Sequence, residues 1–181
     1  MPQLKDKFFE PFISHAKIQN RIAEIAVQIN QEYKEENPIL IGVLNGAFRF
    51  VSDLSAKIEI PCEVSFVRLS SYQGMESSQK VKDVFGLPEN LAGRKIILVE
   101  DIIDSGLTLK ELLPKLEKAG AESVDICTLL YKPAAFQYNY DIKFKGFEIP
   151  NEFVVGYGLD YDEAGRCWND ICKLDSNPKN V

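Results

Sequence analysis

Three carboxylates, Glu100, Asp101 and Asp104, fall within five residues beside a turn suited to an anion. The stretch KIILVEDIIDSGLTLKELL (95–113) runs from an apolar strand pattern into the acidic pair. It continues into Asp104-Ser105-Gly106-Leu107-Thr108, where a helical pattern starts. Unpaired N–H groups at a helix N-terminus, two hydroxyls and a glycine permitting close approach suit a phosphate. The turn lacks the spaced glycines and Lys-Ser/Thr pair of a Walker loop, and it is not G-x-G-x-x-G. Taken alone it reads equally well as a plain helix N-cap. Glu100 and Asp101 should repel a phosphate unless one ligand bridges the two. Sugar hydroxyls donate to carboxylates, and Mg2+ is commonly held by one or two carboxylates plus substrate phosphates. A ribose phosphate carries both kinds of group.

Positioning such residues calls for a frame of strands and helices, and the apolar pattern supplies one. Ile18, Ile22, Ile25, Ile29 and Tyr33 recur at helical spacing across 14–33, with Ser14 as N-cap. Asn37 and Pro38 stop that helix, and ILIGVL (39–44) reads as a buried strand. AFRFVSDLSAKI (47–58) returns to helical period, and CEVSFVRL (62–69) is a second strand. KIILVE (95–100) is the third, followed by a helix over 106–119 in which Pro114 predicts a kink or a shifted start. SVDICTLLY (123–131) and EFVVGYGL (152–159) supply the fourth and fifth. Strands alternating with helices imply an α/β fold, a central parallel sheet flanked by helices, with ligands at the carboxyl ends of its strands. Polar sequence follows every strand there. Residues 70–83, SSYQGMESSQKVKD, have little to bury and read as a lid loop.

With 181 residues, 45% of them hydrophobic, the chain fits a single domain over 1–181 and needs no disulfide or metal staple. Its four cysteines form no C-x-x-C pair and follow no signal peptide, pointing to reduced thiols in the cytoplasm. No apolar run reaches the roughly 20 residues of a membrane span. The net charge of −6 argues against a nucleic-acid surface. A single histidine, His15, excludes a two-histidine metal site and reads as a surface residue near a helix start.

The string ILVEDIIDSGLTL resembles the phosphoribosyl-diphosphate signature of the type I phosphoribosyltransferases, especially their hypoxanthine and hypoxanthine-guanine branch. IGVLNGAFRFVSDL is similar to that family's diphosphate-loop segment, VRLSSYQG to the entry of its lid, and GFEIPNEFVVGYGLDYDE to its purine-binding end. The resemblance covers most of residues 12–175. It implies the type I fold with a flexible lid and a small base-binding hood built from the chain ends. It also implies transfer of the 5-phosphoribosyl group from phosphoribosyl diphosphate to N9 of hypoxanthine or guanine.

By that resemblance, Glu100 and Asp101 engage the ribose hydroxyls, directly or through Mg2+. Asp104, Ser105, Gly106, Leu107 and Thr108 hold the 5′-phosphate, and Asp104 doubles as the acid/base near purine N7. Asn45, Gly46 and Arg166 face the diphosphate, and Ser71 and Tyr72 close over it. Asp160, at the purine-binding end, supports a second Mg2+ through water. Lys132 donates to the purine O6, Phe153 stacks on the ring, and the backbone of Val154 meets the Watson–Crick edge. On residue type alone, Arg166 reads as a surface partner of Asp162 or Glu163, Phe153 as core, and Lys132 as a solvated strand end.

The same fold also serves transferases for xanthine, adenine or a pyrimidine, and regulators that bind phosphoribosyl diphosphate without catalysis. The acidic chain, with a single helix ahead of its first strand, disfavours the regulator. Asn45, Ser70 and Leu107 stand where relatives carry basic residues, which weakens the expected hold on the diphosphate sugar. The family is oligomeric, and Phe48, Phe50, Val51 and Leu54 carry more apolar surface than one sheet face covers. A homodimer or homotetramer is therefore expected.

Overall fold

Residues 2–70 and 83–175 are described by the computed structural model. In chain order they form β1 (Gln3–Leu4), β2 (Lys7–Ile13), α1 (His15–Glu32), β3 (Ile39–Leu44), α2 (Phe48–Ser55), β4 (Glu63–Ser70) and β5 (Asp83–Phe85). There follow β6 (Lys95–Ile103), α3 (Leu107–Lys118), β7 (Ser123–Tyr131), β8 (Phe144–Glu148), β9 (Val154–Val155) and β10 (Ile171–Leu174). The main sheet has the order β5-β4-β3-β6-β7-β8. Its last five strands are parallel, and β5 lies antiparallel on the edge of β4.

Alternate side chains of the central strands enter opposite helical layers. Leu40, Ile97 and Val99 share a core with Ile18, Ile22, Ile25 and Ile29 of α1 and with Phe50, Val51 and Leu54 of α2. Ile39, Ile41, Ile96 and Leu98 share the other with Leu109, Leu112 and Leu116 of α3. Both faces of the sheet are covered, which is why these strands read as unbroken apolar runs. Phe50, Val51 and Leu54 are fully buried within one chain, so the expected excess of apolar surface on α2 reduces to the exposed Phe48.

Several boundaries differ from expectation. α1 takes Ser14 as its N-cap without a side-chain bond. Its first N–H, that of His15, instead donates to Asp170 Oδ1 at 2.7 Å, a carboxylate at the positive end of the helix. His15 is part-buried, its ring 6.1 Å from that of Tyr157. α3 starts at Leu107 and runs through Pro114 without interruption. Pro114 and Lys110, whose carbonyl loses its helical partner there, are both exposed, so water can meet that carbonyl.

The fifth parallel strand is β8, not residues 152–159. In that segment only Val154–Val155 is strand, because Gly156, Tyr157 and Gly158 all take left-handed φ and turn the chain back. The residues before β3 hold more than one helix: β1 and β2 join β10 and β9 in a second, antiparallel sheet of order β1-β2-β10-β9. This is the hood, built from both ends of the described chain. Pro11 sits inside β2 opposite Cys172, next to an irregularity between Ile171 and Cys172, where a residue without an N–H is tolerated.

Candidate active site

Both members of the acidic pair lie within a strand, Asp101 as well as Glu100. β6 continues to Ile103, three residues past the expected limit, and Glu100 is paired opposite Thr128 of β7. Glu100 is buried, and burial, then the neighbouring Asp101 charge, pushes its carboxyl well above the usual carboxylate range. Burial also raises Asp101 to about 6, against the opposing pull of the Ile102 N–H and the Arg166 guanidinium. Hydroxyl donors or a cation brought beside these two carboxylates would favour their charged forms.

Gly46 explains why a glycine follows Asn45. A Cβ on Gly46 would stand 1.6 Å from Asp101 Oδ2, so only a residue without a side chain can pass over that carboxylate. The peptide joining Leu44 to Asn45 at this turn is cis. Behind it, a Cβ on Gly158 would meet the Gly46 carbonyl at 2.1 Å. Arg166 donates to the Gly158 carbonyl and to Asp160 Oδ1, each at 2.8 Å, with Glu163 farther away at 3.6 Å. Its main carboxylate partner is therefore Asp160. The other oxygen of Asp160 accepts from the Glu163 N–H at 2.8 Å.

The turn after β6 ends in Gly106, which caps α3 from the left-handed region at φ 84° with no side-chain capping bond. The first N–H groups of α3 are left to face a small cavity of about 90 Å³ bounded by Glu100 and residues 102–109. Neither Asp104 nor Ser105 acts as the helix cap. Leu107, at the head of the helix, is exposed. Asp104 instead pairs with Lys132, whose Nζ donates to its Oδ2 at 2.8 Å. Lys132 is nearly buried, and Asn151 Oδ1 lies 3.5 Å from the same ammonium. Phe153 is 44% exposed, not core, and Val154 beside it is buried. Of the lid expected over 70–83, Ser70 and Asp83 are strand ends, and residues 71–82, Ser71 and Tyr72 included, fall outside the described residues.

The structure thus gathers Asn45, Gly46, Glu100, Asp101, Asp104 to Thr108, Lys132, Asp160 and Arg166 at one rim of the parallel sheet. A wall not foreseen from the sequence stands behind the turn. Gln137 N donates to the Ser105 carbonyl at 3.2 Å, and Phe136 and Tyr138 pack so near Gly106 that a Cβ there would meet them at 2.5 and 2.9 Å. The alternating aromatics of YKPAAFQYNY were the available signal.

A sequence profile of the phosphoribosyl transferase domain matches residues 13–162. The chain belongs to the phosphoribosyl transferase family. It is 42% identical over 160 residues to the hypoxanthine phosphoribosyltransferase of Salmonella typhimurium, covering 87% of this chain and 90% of that protein. It is 44% identical over 166 residues to the hypoxanthine-guanine phosphoribosyltransferase of Mycobacterium bovis, covering 88% of this chain and 82% of that one. Among solved structures, a hypoxanthine-guanine phosphoribosyltransferase from Bacillus anthracis superposes with a TM-score of 0.85 at 33% identity, covering 94% of this chain and 99% of that one. The phosphoribosyl transferase profile spans the main sheet and its rim, while most of the hood and Arg166 lie beyond it.

Proposed function

We propose that this protein is a purine-salvage enzyme transferring the 5-phosphoribosyl group of phosphoribosyl diphosphate to N9 of hypoxanthine or guanine, with release of diphosphate. One observation carries the choice of base: the Lys132–Asp104 contact of 2.8 Å. O6 and N7 of a 6-oxopurine lie side by side on one edge. In the free base with its proton on N7, that edge offers an acceptor beside a donor. An ammonium beside a carboxylate complements it.

The chemistry follows from the arrangement. As N9 bonds to the anomeric carbon and the bond to diphosphate breaks, the proton on N7 passes to the Asp104 carboxylate. Lys132 holds O6, and the open face of Phe153 stacks on the ring. Asp160 and the Gly158 carbonyl orient the Arg166 guanidinium, which meets the diphosphate together with the Asn45–Gly46 backbone. The 5′-phosphate occupies the N–H groups at the head of α3.

Glu100 and Asp101 suit the ribose hydroxyls and Mg2+. Among the described residues no group of three or more metal-binding side chains converges, so the fit is to a metal shared with the substrate. When bound, Mg2+ neutralises charge on the diphosphate. A location in the cytoplasm, a single domain over 1–181 and assembly into a dimer or tetramer complete the proposal. Among the described residues no helix is long and apolar enough to cross a membrane.

Steady-state assays with phosphoribosyl diphosphate, Mg2+ and each of hypoxanthine, guanine, xanthine and adenine test it. Turnover of hypoxanthine or guanine, abolished by chelator and restored by Mg2+, is expected. Turnover of adenine alone would replace this reading, and binding of the diphosphate sugar without turnover would favour a regulator.

A further inference from the structure

The aromatic group at the base-binding end is larger than the one ring used for stacking. Phe153 is exposed but not loose. Tyr161 meets it edge-on, with centroids 5.8 Å apart and planes at 88°. Phe9 lies 6.4 Å from each of these rings. An edge-to-face contact fixes the angle of one ring against the other.

Tyr161 is in turn fixed from the opposite end of the chain. Its hydroxyl donates to Asp6 Oδ1 at 2.8 Å. Lys7 Nζ stands 5.4 Å from the centre of its ring, and Lys5 Nζ donates to the carbonyl of the next residue, Asp162, at 2.9 Å. Lys5 and Asp6 form the turn between β1 and β2, and Lys7 opens β2. No step of the transfer uses these residues.

We infer that Tyr161, held by Asp6, is a positioning residue that sets the plane of Phe153, so that the β1–β2 hairpin governs how tightly the purine stacks. The inference rests on Phe153 being the stacking ring. A hairpin that merely stabilised the hood would affect both substrates together or neither. One that positions Phe153 affects the base alone.

The test uses the full chain with Tyr161→Leu, Tyr161→Phe, Asp6→Ala and the Tyr161→Phe/Asp6→Ala double variant, with initial rates measured over both substrates. Tyr161→Leu should raise the KM for hypoxanthine by about 2- to 13-fold, the loss of one aromatic pair, with the KM for phosphoribosyl diphosphate unchanged. Tyr161→Phe and Asp6→Ala should each give a smaller rise, and the double variant no more than either single one. Trp168, the sole tryptophan, lies edge-on to Phe9 at 6.0 Å, so its emission reports on the hood and should stay constant. An unchanged hypoxanthine KM in all variants overturns the inference. So does a joint rise of both KM values with shifted Trp168 emission. Phe153→Leu separates the two levels: if it leaves the hypoxanthine KM unmoved, the stacking role of Phe153 itself has failed.

Discussion

Lys132 meets Asp104 because Ile103 and Tyr131 are paired across β6 and β7. Each of the two residues is the first beyond its strand, and the Lys132 N–H donates to the Ile103 carbonyl at 3.0 Å. The register of two parallel strands delivers an ammonium and a carboxylate to one point. The lysine side chain is 8% exposed and the carboxylate 48%, so the cation is held and the acid remains open to a ligand.

Replacing Lys132 with Ala should cut kcat/KM for hypoxanthine while leaving binding of phosphoribosyl diphosphate nearly intact. In the parent enzyme, the exocyclic amine of adenine would meet the ammonium donor to donor. Discrimination against adenine should therefore be on the order of 10⁴, as expected where a buried polar group is left unpaired. Comparable kcat/KM values for adenine and hypoxanthine would refute the assignment of Lys132.

Asp104→Asn preserves the shape of the turn but removes the proton acceptor. A fall in kcat of roughly 10²–10⁴ is expected, with much less change in calorimetric affinity for the diphosphate sugar. Asp104 does not cap α3, but it is the carboxylate partner of the nearly buried Lys132, so the melting temperature should fall. Undiminished kcat would leave Asp104 without a chemical role.

Asp101 makes a prediction about stability in the absence of ligand and metal. Its carboxyl titrates at about 6 in the folded state against an ordinary 3.8, so the folded state binds the proton more tightly. Well below 3.8 the group is neutral whether folded or unfolded and costs nothing. As pH rises from there through 6 the unfolded chain gains by ionising first, and folding stability declines. Asp101→Asn should therefore melt above the parent at pH 7 and together with it near pH 3.5, while losing affinity for the diphosphate sugar. Thermal melts at the two pH values decide the matter, and a variant no more stable than the parent at pH 7 contradicts it.

Gly46→Ala forces its methyl into the space of Asp101 Oδ2, so the turn carrying Asn45 must move. Misplacement on the order of an ångström at a binding group costs on the order of 10²-fold in rate. The loss should appear in kcat/KM for phosphoribosyl diphosphate. Wild-type kinetics in this variant would mean that the turn does not face the diphosphate.

The main sheet was largely legible because its strands carry their own signal. ILIGVL and SVDICTLLY match β3 and β7 residue for residue, since both are apolar runs bounded by prolines, glycines or polar residues. β8, with Lys145 and Gly146 inside it, lacks that signal. The hood was illegible as structure for a further reason: β1 and β9 have two residues each, and β2 contains Glu10 and Pro11. β2 and β10 pair with each other from opposite ends of the chain, which no local pattern reveals. The same limit applied at the site. The turn from Asp104 to Thr108 and the acidic pair are local and stand out, whereas the contacts of Lys132 with Asp104 and of Gly46 with Asp101 depend on how strands align.

The pairing of β2 with β10 ties Phe9 to Leu174 and Ile13 to Ile171, so the hood cannot form until the second of those segments has been synthesised. Closing so long a loop is entropically the most demanding contact in the fold and the slowest kind to make. On the ribosome the central sheet and its phosphate turn emerge earlier and can begin to order first. A newly made molecule thus has the turn from Asp104 to Thr108 and the Lys132–Asp104 pair before Phe153 is seated against Phe9, and fraying of either end strand loosens the surroundings of Phe153 before it disturbs the sheet.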